Sequence, residues 1–67
     1  MKLSVNGERR EVSATTVGAL LSELDIPPGQ VAVEVNLSIV KKADYDSFSL
    51  KEGDTVEVVN FVGGGNI

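Results

Sequence analysis

The chain ends "FVGGGNI", and this segment holds the residues best suited to a chemical role. Three consecutive glycines, Gly63, Gly64 and Gly65, give a backbone without side chains that is thin enough to enter a narrow enzyme channel. A phosphate-binding loop would need a helix after the glycines, whereas only Asn66 and Ile67 follow. The segment therefore predicts a flexible arm, about 17 Å long when extended, that presents the chain to another protein's active site. A frayed terminus without function is the alternative.

Composition limits the chemistry that the rest of the chain can perform. The 67 residues include no cysteine and no histidine, so a disulfide, a zinc site and most general-base or nucleophilic mechanisms are excluded. Four acids between residues 44 and 54 do not have the spacing of a calcium loop. We expect no catalytic residue, no metal and no bound cofactor, and hence a protein that is not itself an enzyme.

Charge and hydropathy restrict the partners and the compartment. Ten acidic residues against six basic ones give a net charge of −4, which argues against nucleic acid and anionic membranes as partners. No apolar run approaches the roughly 20 residues of a membrane span, and the N-terminal "MKLSVNGERR" becomes polar too soon for a signal peptide. We therefore expect a cytoplasmic protein.

The periodicity of apolar residues predicts an α+β domain over residues 1–62, followed by the tail over 63–67. Alternation predicts strands over 2–5, 8–12, 31–36 and 55–62, with a short strand at 39–40 and tight turns at Asn6-Gly7 and Asn36-Leu37-Ser38. One helix is predicted from an apolar stripe formed by Val17, Leu20, Leu21 and Leu24. Ser13, Thr15 or Thr16 can serve as its N-cap, and Pro27-Pro28-Gly29 ends it. Residues 41–54 predict a loop or a single helical turn. This order is typical of a roll with its first and last strands side by side.

The last strand predicts a docking surface beside the tail. Val56 and Val58 share one face, and Glu57, Val59 and Phe61 share the other. Because Glu57 marks the second face as exposed to solvent, Val59 and Phe61 form an apolar patch that a partner could bury. A twist of the sheet or a shift in register that places both residues in the core is the alternative.

The ordered set of motifs resembles the ubiquitin-like β-grasp sulfur carriers of the ThiS/MoaD type, in particular those of thiamine biosynthesis. The resemblance rests on the hairpin "LSVNG", the helix "VGALLSEL", the strand "VAVEVN" and the ending "EGDTVEVVNFVGGG". It implies a β-grasp fold with a mixed sheet of four to five strands and one main helix packed across it.

The resemblance also implies a function. In these carriers an E1-like, ThiF-like adenylating enzyme uses ATP to activate the carboxylate of a terminal diglycine. Cysteine-derived sulfur converts it to a thiocarboxylate, and a ThiG-like thiazole synthase takes that sulfur. Carried onto this sequence, Gly64 and Gly65 are the diglycine and Gly65 the activated residue, while Val59, Phe61 and Val62 belong to the docking strand.

The sequence departs from the family pattern after Gly65, where the diglycine should end the chain. Asn66 and Ile67 follow, and the branched side chain of Ile67 suits a glycine-sized channel poorly. A peptidase could remove both residues, they could have been added during cloning, or the chain could bind the same partners without carrying sulfur.

Other functions share the same fold. A small subunit of molybdopterin synthase, or a carrier for cysteine or tRNA thiolation, differs only in its partner. A non-covalent interaction module needs no glycines, and a protein modifier would be attached to lysines through its tail. The short chain and the ending "NFVGGG" favour the thiamine carrier.

Overall fold

The computed structural model describes residues 1–60, which form a five-stranded sheet and one α-helix. The chain also contains two short 3₁₀ turns, at Pro28–Gln30 and at Lys42–Asp44. In chain order the elements are β1 (Lys2–Val5), β2 (Glu8–Glu11), α1 (Val17–Glu23), β3 (Val31–Val35), β4 (Ser38–Val40) and β5 (Thr55–Asn60). The α+β β-grasp architecture, with a mixed sheet and one main helix, is therefore confirmed.

The strands lie in the order β2-β1-β5-β3-β4, which places β5 at the centre of the sheet. It runs parallel to β1, with Ser4 opposite Thr55. It runs antiparallel to β3, with Val33 opposite Val58. The two hairpins β1–β2 and β3–β4 are therefore joined only through the last strand, and the predicted contact between the first and last strands is confirmed.

The core lies between the helix and one face of the sheet. Its side chains are apolar apart from a single tyrosine hydroxyl, and none of the charged side chains among residues 1–60 is buried. Each buried valine or leucine contributes on the order of 1.5–3 kcal/mol through the hydrophobic effect. The least exposed large side chains are Leu3, Val17, Leu20, Leu21, Val33 and Val56.

The helix begins and ends where local chemistry requires. The Thr16 hydroxyl accepts a hydrogen bond from the Ala19 N–H at 3.1 Å, which selects Thr16 among the three predicted N-caps. The helix ends at Glu23, and Leu24 of the predicted stripe is only half-buried. The Glu23 carboxylate accepts hydrogen bonds from the Ser13 and Ala14 N–H groups, so the helix end is tied to the loop after β2. None of the helices within residues 1–60 has the length and apolar character needed to cross a membrane.

Two asparagines at the hairpin turns hold β5 from opposite sides. The Asn6 side chain donates to the Val58 carbonyl at 3.2 Å and accepts from the Val58 N–H at 2.8 Å. On the other side, Asn36 accepts from the Thr55 N–H at 3.0 Å and donates to Asp54 Oδ1 at 3.0 Å. Each side-chain amide therefore pairs with a backbone group of β5, and that of Asn36 also binds the Asp54 carboxylate in the preceding turn.

The β3–β4 turn contains an unusual left-handed leucine. Asn36 has φ of 52° and Leu37 has φ of 72°, whereas the corresponding turn between β1 and β2 places Gly7 at its second position with φ of 85°. A residue with a Cβ atom loses roughly 1–2 kcal/mol in this region, and two-residue hairpin turns strongly prefer glycine after asparagine. The Leu37 side chain is 83% exposed, so core packing does not offset this cost.

Leu37→Gly is expected to stabilise the protein. Removal of the left-handed strain outweighs the greater flexibility of glycine in the unfolded chain, so the free energy of unfolding should rise by up to about 1 kcal/mol. Urea denaturation measures this change. Leu37→Ala is the control, because it removes the exposed side chain but keeps the strain, and it should leave the unfolding free energy nearly unchanged. A gain of equal size in both variants would contradict the strain explanation.

Asn6→Gly is expected to weaken β5 locally, because glycine keeps the positive φ while both side-chain bonds to Val58 are lost. Hydrogen exchange at the Val58 amide should accelerate about tenfold, as expected for roughly 1.4 kcal/mol of lost stabilisation. Asn36→Gly is the matched control and should accelerate exchange at Thr55 instead. The same pattern of acceleration in both variants would indicate global destabilisation and refute the local role.

Candidate functional site

β5 carries the first of the predicted site residues, and the others follow it in the sequence. Val59 lies near its end, opposite Ala32 of β3. The remaining predicted site residues lie outside the described residues; these are Phe61, Val62, Gly63, Gly64 and Gly65, together with the terminal Asn66 and Ile67. Their proposed roles in docking and in sulfur transfer therefore stay predictions.

The two faces of β5 differ as the alternation predicts. Val56 is completely buried and Val58 packs against the core, whereas Glu57 is exposed and the Val59 side chain is 58% exposed. The alternative in which a register shift places Val59 in the core is therefore wrong. Val59 belongs to the outer face, which is the sheet face opposite the helix.

The outer face carries a further exposed apolar side chain that the sequence did not single out. Ile39 on β4 is 76% exposed and lies opposite Glu34 of β3. The signal was present in the alternation of β4, because Val40 is buried and its neighbour must point to the other face. Together with Val59 and Ala32, Ile39 defines an apolar patch on the half of the sheet formed by β4, β3 and β5.

Charges of both signs lie on the outer face, and on the β1–β2 half Glu11 lies opposite Lys2. Glu34 and Glu57 lie directly opposite each other on β3 and β5. Arg9 lies opposite Ser4 on the β1–β2 half, where Lys2 is also found. The sequence predicted that Glu57 faces solvent, but its position opposite Glu34 depends on a register that one strand alone cannot specify.

The described residues hold no candidate metal site and no buried polar side chain without a partner. No three carboxylates among residues 1–60 are arranged to hold a metal ion. Within the same residues, every buried side-chain nitrogen or oxygen has a hydrogen-bond partner. The buried Tyr45 hydroxyl, for example, donates to the Val31 carbonyl at 3.2 Å, which ties the loop after β4 to the sheet.

Solved structures with the same fold come from thiamine biosynthesis. The crystal structure of the thiamine biosynthesis protein ThiS from Geobacter metallireducens is 36% identical and superposes with a TM-score of 0.83, covering 97% of this chain and 100% of that one. An NMR structure of a thiamine biosynthesis protein from the same organism is 35% identical, with a TM-score of 0.77, and covers 100% of this chain and 91% of that one.

Curated relatives carry the name thiazole synthase. The protein from Paramagnetospirillum magneticum is 51% identical over 67 residues, which are 98% of this chain and 21% of the relative. The protein from Magnetococcus marinus is 44% identical over 66 residues, which are 97% of this chain and 20% of the relative. The chain thus spans about a fifth of the length of these relatives.

The sequence pattern of the ThiS family matches residues 3–65, which include both hairpins, the helix and all three glycines. The match covers nearly the whole chain, and the similarity to solved structures extends over the same fold. The chain therefore belongs to the ThiS family.

Proposed function

We propose that the chain is a sulfur carrier of thiamine biosynthesis that bears its sulfur as a thiocarboxylate on Gly65. The observation that carries this proposal is the match to the ThiS family, which extends through the glycines to residue 65. The similarity to thiamine biosynthesis proteins from Geobacter metallireducens supports the same pathway. In this role the chain is a co-substrate of partner enzymes, and no catalytic side chain of its own is required.

The proposed cycle begins with activation of the Gly65 carboxylate, which is a poor electrophile. A ThiF-like adenylating enzyme joins the carboxylate to the AMP portion of ATP, and pyrophosphate leaves. Cysteine-derived sulfur at the oxidation level of sulfide then attacks the acyl carbon and AMP leaves, so that one carboxylate oxygen is replaced by sulfur. ATP is consumed by the partner enzyme and is not a cofactor of the carrier. This use of ATP is the reason that we place the cycle in the cytoplasm.

Thiazole synthase is the proposed acceptor of the sulfur. A region similar to this chain lies within relatives that are themselves named thiazole synthase, which supports an association between the two activities. Val59 provides an exposed apolar contact on the strand that leads to the tail. We propose that Val59 docks on the synthase together with Phe61 and Val62, while the glycines enter its active site.

The residues after Gly65 require one further step. As long as Asn66 follows, the Gly65 carbonyl belongs to an amide, which adenylation of a carboxylate cannot use. A peptidase that hydrolyses the Gly65–Asn66 bond would release the required carboxylate and a peptide that begins with Asn66. Cleavage after Gly64 would give a shorter arm with the same terminal chemistry.

The intact mass of untagged protein recovered from its own cells tests this proposal. We expect loss of Asn66 and Ile67, and a fraction in which one oxygen is replaced by sulfur. A full-length mass without any modified fraction would contradict the carrier function and favour a non-covalent binding module. Adducts of higher mass on other proteins, formed with ATP, would indicate a protein modifier instead.

Gly65→Ala, in a chain that ends at residue 65, is expected to suppress adenylation strongly without affecting folding. Gly65 follows the buried residues that the structure describes within residues 1–60, so we expect their packing to be retained, whereas a methyl group should obstruct a channel shaped for glycine. Pyrophosphate release with the purified adenylating enzyme measures activation, and thermal unfolding measures stability. The unsubstituted chain ending at Gly65 is the control. Thiocarboxylate formation at the control rate would refute the narrow-channel explanation.

A further inference from the structure

We propose that Glu34 and Glu57, framed by Ile39 and Val59, form a recognition site for a basic side chain of thiazole synthase. This inference rests on the proposed function and adds a specificity determinant to it. The docking residues suggested by the sequence are all apolar, whereas this site selects its partner by charge.

The first observation is the cross-strand position of the two glutamates. Glu34 and Glu57 are directly opposite residues of the antiparallel pair β3–β5, at the centre of the outer face. Side chains in this position have Cβ atoms about 4.5–5.5 Å apart, and like charges there destabilise a sheet. The free protein therefore holds two negative charges together at a cost to its own stability.

The second observation is that neither Glu34 nor Glu57 forms an ion pair on the half of the sheet made of β4, β3 and β5. The ion pairs within residues 1–60 join Glu11 to the N-terminal amino group and Glu8 to Arg10, and neither includes Glu34 or Glu57. Arg9 and Lys2 point to the same face but belong to β2 and β1, on the other half of the sheet. A cation from a partner can therefore relieve the repulsion.

The third observation is the apolar frame around the two carboxylates. Ile39 lies beside Glu34 on β4, and Val59 lies two residues after Glu57 on β5, about 7 Å along the strand. A partner that covers these side chains also removes water from the carboxylates, which strengthens their attraction to a cation. Arginine suits such a site, because its long stem packs on apolar surface while its planar head bonds two carboxylates.

Thiazole synthase is the occupant that the observations favour. β5 is the last strand before the glycines in the sequence, so a partner that receives the glycines also lies close to this strand. The curated relatives contain a region similar to this chain within a polypeptide named thiazole synthase. This similarity favours thiazole synthase as the partner that binds the site. The ThiF-like enzyme is the competing occupant and is included in the test.

The test measures binding of Glu34→Gln and Glu57→Gln to purified thiazole synthase from the same organism by calorimetry. Each variant keeps the shape of the side chain and removes one negative charge, so the Kd should rise about five- to tenfold and its dependence on salt should weaken. Glu8→Gln is the matched control, because it changes net charge equally but lies on β2 outside the site, and its Kd should stay within about twofold. Urea denaturation should show no loss of stability in either site variant, whereas a merely structural role would lower it.

The remaining outcomes separate this inference from the proposed function. If the unsubstituted chain binds the synthase and transfers sulfur while both site variants bind equally well, the inference is wrong and the function stands. Weaker binding to the ThiF-like enzyme alone would assign the site to that partner and overturn the inference. If the unsubstituted chain neither binds the synthase nor transfers sulfur to it, both proposals fail.

Discussion

The structure depends on the insertion of β5 between β1 and β3. The two hairpins do not pair with each other, so each reaches the common sheet only through β5. The pairing of β5 with β1 joins the most distant parts of the described chain. The loop-closure entropy lost in bringing them together must be offset by the packing of Val56 and its neighbours. The same strand is the last element before the glycines in the sequence.

The two hairpin turns show how side chains support this arrangement. Asn6 and Asn36 both occupy left-handed conformations, and both direct their amides towards β5 or the turn before it. Asparagine tolerates a positive φ. Beyond the end of β1 or β3, its side-chain amide can form the hydrogen bonds to β5 that the backbone of that strand no longer provides. Turn geometry and the attachment of the central strand are therefore provided by the same residues.

Local patterns in the sequence predicted most of the fold, because alternation and helical spacing report burial directly. They also predicted that Val59 faces solvent, since Glu57 lies on the same face. The contacts between distant elements could not be predicted in this way. The Asn6–Val58 bonds and the opposition of Glu34 to Glu57 depend on which strands pair and in which register, and neither is encoded in a single segment. The left-handed Leu37 also contradicts local preference, so no turn rule predicts it.

Both edges of the sheet carry features that oppose pairing with other chains. β2 forms one edge, and all four of its residues are charged. β4 forms the other edge and carries the exposed Ile39, but it is only three residues long and is followed by Lys41 and Lys42. Short edge strands and nearby lysines both oppose edge-to-edge association. Association through the edges is therefore disfavoured, whereas the apolar patch and the two glutamates lie on the outer face of the sheet.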